Sequence, residues 1–147
     1  MTKTSWIIAA AAFLADRGAK ELAKGIPPEG MTLIPGVLGL RPVRNTGMAF
    51  SLLSGHPALL GILSLCVIAA AFLILRGKKL PALSRTGLMM MLGGALGNLT
   101  DRLTAGAVPD MIELLFMDFP IFNVADACLV VGCGLVILDL FRGEKHG

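Results

Sequence analysis

The stretch Ala58-Leu-Leu-Gly-Ile-Leu-Ser-Leu-Cys-Val-Ile-Ala-Ala-Ala-Phe-Leu-Ile-Leu75 runs for 18 positions without a charged side chain. As a helix it is long enough to cross a hydrocarbon core of about 30 Å. Helices suit that solvent because their backbone N–H and C=O groups pair within the segment. Outward from this run, three more apolar stretches follow the same logic: Trp6 to Ala15, about Thr86 to Leu99, and about Val124 to Leu138. The first is extended by Phe13, Leu14, Ala19 and Leu22 past two charged positions, and the last is interrupted by Asp126.

Composition agrees. The 147 residues are 55% hydrophobic and 16% charged, with a mean hydropathy of +0.79. A soluble domain has about 45–50% apolar and about 25% charged residues. A chain this short has no interior for that excess, so lipid is the expected solvent. The fold class expected is an integral membrane α-helical protein. It has four transmembrane helices, at approximately 5–22, 58–75, 86–103 and 124–141, in one membrane-embedded domain over residues 1–147. Lys3 followed by an apolar core also fits a signal peptide. With no clean small-x-small cleavage site preceding a soluble domain, and a membrane-like remainder, a retained first span is the better reading. Gly93, Gly94, Ala95 and Gly97 would let helices approach closely.

Loop charges set the orientation. Arg76, Lys78, Lys79 and Arg85 lie together with no acid among them, which marks that loop as cytoplasmic. Four spans then place both termini in the cytoplasm, beside Lys3, Arg142 and Lys145, and segments 23–57 and 100–123 outside. Arg41 and Arg44 fall on the outer side, against the trend. The outer segment 25–57 is punctuated by Pro and Gly, and residues 31–43 read as short β-like strands broken by turns, a small sheet on the outer membrane face.

Several function classes drop out. The net charge of +3 fits basic loops beside a membrane, and one Trp, no Tyr and seven Phe give no platform for stacking bases, so no nucleic-acid partner is expected. Cys66, Cys128 and Cys133 lie in apolar runs and read as buried, inert thiols without a disulfide framework. His56 and His146 are far apart, and neither a metal set nor a phosphate loop is visible; no cofactor is expected.

The ionisable residues in the apolar runs are costly and ask for partners. Asp16 and Lys20 are spaced i, i+4 with the acid first, the better order for an ion pair tethering the helix end. Asn98, Asp101 and Arg102 lie at i, i+3 and i+4 and share a helix face. They form either a packing patch capped by charges or part of a polar site. Asn45-Thr-Gly47 is a turn signal. Asp110 and Asp126 reach the same outer interface in the four-span topology, where two adjacent carboxylates would share a proton. That state suits an acid and a base acting on water and a carbonyl. On spacing alone the plainer reading is stronger: Asp126 caps the fourth helix and Asp110 is a solvated loop acid.

Read together, five fragments in order resemble bacterial lipoprotein signal peptidase, also called signal peptidase II, over nearly the whole chain. They are Asp16-x-x-x-Lys20, Asn45-x-Gly47-x-Ala49-Phe50, Gly93-Gly-Ala-x-Gly-Asn98-x-x-Asp101-Arg102, Val108-x-Asp110, and Phe122-Asn123-x-Ala-Asp126. The resemblance implies a membrane aspartyl endopeptidase that removes signal peptides from prolipoproteins carrying a diacylglyceryl group on a cysteine, cutting on the amino side of that cysteine. It implies Asp110 and Asp126 as the catalytic pair. Asn45, Gly47, Asn98, Asp101, Arg102 and Asn123 are implied as substrate-binding or supporting residues, and Asp16 and Lys20 as a structural pair. It also implies prolipoprotein substrates and membrane lipid as partners, with the chain a monomer in the bacterial cytoplasmic (inner) membrane and the site at its outer face. Met111 after Asp110, and Pro109 before it, depart from the usual pattern, which bears on the shape of the pocket. The rival classes are a small transporter with Asp101, Asp110 and Asp126 as a proton relay, and a non-catalytic scaffold.

Overall fold

A computed structural model of the chain describes residues 3–47, 56–77 and 80–144. Met48 to Gly55, including motif residues Ala49 and Phe50, lie outside the described residues, as do Lys78, Lys79, Lys145 and His146. Four helices and three strands follow in the order α1 (Lys3–Ala23), β1 (Met31–Ile34), β2 (Leu38–Asn45), α2 (Pro57–Gly77), α3 (Ala82–Ala105), β3 (Val108–Leu114) and α4 (Val124–Glu144).

Helix α3 is the centre of the bundle and packs against each of the other three. Its glycines permit this. A β-carbon on Gly94 would lie 2.5 Å from the Ala125 carbonyl oxygen of α4, and one on Gly97 would lie 2.5 Å from Asp16 Oδ2 of α1. From the α4 side, a β-carbon on Gly132 would meet the Gly87 carbonyl oxygen at 2.5 Å. The small-residue run thus lets backbone meet backbone. At the far end of the bundle from the sheet, Ala9, Ala71, Leu75, Leu88, Met89 and Leu92 form a buried apolar cluster.

Stretches of α2 (Ala58–Arg76) and α4 (Val124–Arg142) are long and apolar enough to cross a membrane. Most of their surface faces away from the protein, with Ile62, Leu65, Leu73, Val130, Leu140 and Phe141 exposed. A water-soluble surface rarely carries so continuous an apolar face. Helices α1 and α3 are more polar in sequence, and their charges turn toward each other: Asp16, Lys20 and Asp101 are all buried. The thiols correct one expectation. Cys66 and Cys133 are exposed and Cys128 is half-buried, because they sit on the outward faces of α2 and α4; all three are free.

The sheet is antiparallel in the order β1-β2-β3. Its hairpin turns at Pro35-Gly36, with Gly36 at φ 70° and the Val37 N–H donating to the Ile34 carbonyl at 3.0 Å. Pro then Gly at the two central positions is the order a type II turn requires. Strand β3 falls in a segment read from sequence only as an outer connection. It pairs with β2, placing Asn45 opposite Val108 and Val43 opposite Asp110. Pro109 is tolerated because β3 is an edge strand.

Candidate active site

The register of β2 and β3 makes Asn45 and Asp110 diagonal neighbours on one face of the sheet. Asn45 Nδ2 donates to Asp110 Oδ2 at 2.7 Å. The Asn45-Thr-Gly47 turn fixes the donor, since the Gly47 N–H donates to Asn45 Oδ1 at 2.8 Å and holds the carboxamide one way round. The other oxygen, Asp110 Oδ1, accepts from Asn123 Nδ2 at 2.6 Å. Asp110 is 2% exposed.

Asn123 is the residue before α4 and caps it. Its Oδ1 accepts from the Asp126 N–H at 2.9 Å, and Asp126 Oδ2 accepts from the Asn123 N–H at 3.3 Å. This is a reciprocal capping box with Asn and Asp in the two roles. Asp126 Oδ1 accepts from Asn98 Nδ2 of α3 at 2.8 Å. One asparagine therefore touches both carboxylates, by its side chain at Asp110 and by its backbone at Asp126. The cap anticipated for Asp126 is present, and the same carboxylate lines a cavity.

That cavity is about 600 Å³ and opens between α2 and α4, beneath the sheet. Its walls are apolar, with Leu60, Leu63 and Val67 from α2 and Leu129 and Val130 from α4. Apart from Ser64 of α2, whose hydroxyl donates to the Leu60 carbonyl, the polar side chains gather at one end: Asn45, Asn98, Arg102, Asp110 and Asp126. Arg102 is half-buried there. Its guanidinium donates to the carbonyls of Asn98 and Gly47, each at 3.4 Å, and its charge acts on both Asp126 and Asp110.

Burial pushes the Asp110 carboxyl up to about 6, and the negative charge of Asp126 adds to that; the Asn45 and Asn123 hydrogen bonds and the Lys20 charge pull the other way. The desolvated acid thus holds its proton well above the ordinary carboxylate range.

Asn98, Asp101 and Arg102 do not face one site. Asn98 and Arg102 line the cavity, whereas Asp101 turns toward α1. There it accepts from Lys20 Nζ at 2.7 Å and from Arg17 Nη2 at 2.6 and 2.7 Å through its two oxygens. Asp101 is therefore a support, and a relay of Asp101, Asp110 and Asp126 lacks its first member. Asp16 and Lys20 pair at 2.8 Å, but deep in the bundle. Asp16 Oδ1 also accepts the Ala125 N–H at 3.0 Å, in the first turn of α4. Sequence reasoning missed Arg17, although a third charge beside Asp16 in an apolar helix was the available signal. Among the described residues no group of three or more His, Cys, Asp or Glu side chains is placed to hold a metal ion.

The fold is that of a bacterial membrane enzyme. Of two solved structures described as bacterial membrane enzymes, one, determined by the in meso method at 2.3 Å resolution, matches with a TM-score of 0.89 and 28% identity, covering 97% of this chain and 90% of its own. The other, at 1.9 Å resolution, matches with a TM-score of 0.82 and 30% identity, covering 93% of this chain and 92% of its own. The family description "Signal peptidase (SPase) II" matches residues 8–142. Curated relatives called lipoprotein signal peptidase include that of Enterococcus faecalis, 41% identical over 118 residues, covering 80% of this chain and 73% of the relative. That of Latilactobacillus sakei is 41% identical over 115 residues, covering 78% and 76%. The chain belongs to the signal peptidase II family.

Proposed function

We propose that this chain is a membrane aspartyl endopeptidase. It removes signal peptides from diacylglyceryl-modified prolipoproteins, cleaving on the amino side of the lipidated cysteine. The observation that carries this reading is the convergence of two carboxylates, Asp110 from β3 and Asp126 from α4, on the polar end of an otherwise apolar cavity. In the reaction, one carboxylate takes a proton from water as the water oxygen bonds to the scissile carbonyl carbon. The protonated partner donates a hydrogen bond to the carbonyl oxygen. Collapse of the tetrahedral intermediate breaks the C–N bond, and the leaving nitrogen takes the proton that the first carboxylate had accepted from water, which returns the pair to its starting state. Asn45, Asn98 and Asn123 orient the two acids, and Arg102 balances their charge. The apolar walls of α2 and α4 suit the acyl chains and the hydrophobic signal segment, and the cover of the sheet limits water.

All four helices, as one domain, cross the cytoplasmic membrane in this reading, with both termini in the cytoplasm and the site at the outer face. Two facts support that orientation. Arg41 pairs with Glu113 at 2.7 Å, and Arg44 donates to the Ala105 carbonyl at 2.7 Å. The two cations that oppose the loop-charge rule are thus engaged by the fold. The chain acts as a monomer and takes no cofactor.

The test is cleavage of a purified diacylglyceryl-modified prolipoprotein by wild type and Asp126→Asn side by side. Cleavage before the lipidated cysteine by wild type alone is the expected result. A folded wild type that leaves a verified substrate intact would overturn the reading.

A further inference from the structure

We propose that Lys20 is a positioning residue for the carboxylate of Asp126, acting through the side chain of Asn98; this rests on the peptidase reading above. Lys20 lies in α1, is 5% exposed, and is not among the residues lining the cavity. Its ammonium has an acceptor for each of its three N–H bonds: Asp16 Oδ2 at 2.8 Å, Asp101 Oδ2 at 2.7 Å and Asn98 Oδ1 at 3.0 Å. An ammonium can only donate. Asn98 must therefore turn its oxygen toward Lys20, which turns its Nδ2 toward Asp126 Oδ1. A flipped carboxamide would set N–H against the ammonium and oxygen against the carboxylate.

The rest of the cluster keeps Lys20 in place. Arg17 grips both oxygens of Asp101, and Asp16 Oδ1 holds the Ala125 N–H, one residue before Asp126. Gly97 leaves room for Asp16 against α3. The cluster thus meets the first turn of α4 at two points, and only the Lys20–Asn98 branch reaches the carboxylate itself.

Lys20→Met alone would leave Asp16 and Asp101 with too little positive charge, a substitution that invites misfolding. The charge-balanced variant Lys20→Met/Asp16→Asn keeps the cluster neutral and keeps an acceptor for the Ala125 N–H. The experiment compares purified wild type, Asp126→Asn, this double variant, Asn98→Leu, and the triple variant in prolipoprotein cleavage, with thermal unfolding in detergent for each. Cleavage by wild type but not Asp126→Asn upholds the peptidase reading; no cleavage by wild type overturns both that reading and this inference. With the reading upheld, the double variant should stay folded and lose on the order of 100-fold in kcat, the scale of a misplaced reacting group, with KM little changed. Adding its substitutions to Asn98→Leu should cost no more than about 2-fold, because the Lys20 substitution acts through Asn98 and the Asp16 substitution keeps an acceptor for the Ala125 N–H. An unchanged kcat, a loss confined to KM, fully additive losses, or a double variant that does not fold would each overturn the role for Lys20.

Discussion

The carboxylate of Asp126 closes the first turn of α4 and faces the cavity with the same two oxygens, each accepting from a donor. Asp110 likewise accepts from two carboxamides, each with its oxygen already engaged elsewhere. Replacing either acid by Asn sets one N–H₂ against a donor that cannot turn away. Asp110→Asn and Asp126→Asn are each expected to lower cleavage by on the order of 10²–10⁴-fold, the share of an acid–base group. Each should also cost about 1–3 kcal/mol of stability, for the unpaired buried donor, while leaving the protein folded. Cleavage rates and thermal unfolding on the same preparations check both parts. A variant with wild-type activity would remove that acid from the mechanism.

Asp110 also fixes the direction of a pH effect. Its folded form holds a proton up to about 6 against an ordinary value of 3.8. The folded state therefore binds the proton more tightly than the unfolded one. Its contribution to stability is full below the ordinary value and is lost as pH rises through about 6. If the pair needs that proton, cleavage should fall on the alkaline side over the same range, with an apparent constant belonging to the pair. Asn45 pulls the Asp110 value down, so Asn45→Ala should move the alkaline limb of the pH–rate profile upward. A limb that stays in place would separate Asp110 from the titration.

At the scale of elements, α1 and α3 touch where side chains are missing. Gly97→Ala would drive a β-carbon to 2.5 Å from Asp16 Oδ2, and should cost about 1–3 kcal/mol as the helices part. Gly134→Ala, with nothing within 4 Å of the added carbon, should hold or slightly raise the melting temperature, as Ala does in a helix. Equal effects at the two positions would contradict this packing. The same elements explain what was legible beforehand. The run 58–75, the Pro35-Gly36 turn and the Asn45-Thr-Gly47 turn are local patterns, readable over a few residues. Strand β3 was not, because its Pro and two acids hide the alternation and its partners in β2 lie 63 to 76 residues earlier in the chain. The link from Arg17 to Asp101 spans 84 positions. No spacing rule reaches that far, and for the same reason the shared face of Asn98, Asp101 and Arg102 divides between two partners.

For the whole molecule, the outward apolar faces of α2 and α4 and the inward charges of α1 and α3 give one body with a lipid-facing exterior and a polar seam. The proposed orientation predicts labelling. In a background with the native cysteines replaced by Ala, Pro28→Cys should react with a membrane-impermeant maleimide in intact cells. Pro81→Cys should react only after permeabilisation. The opposite pattern would invert the protein in the membrane.

The bond from Asp16 to the Ala125 N–H joins the first helix to the last. A ribosome delivers α1 long before α4, so the Asp16 oxygen that accepts in the first turn of α4 gains that partner only once α4 has been made. No nascent intermediate then holds an assembled pair of acids. On the proposed mechanism, a chain stalled after three helices is not a crippled protease loose in the bilayer but an inert one, and proteolytic competence arrives only with α4.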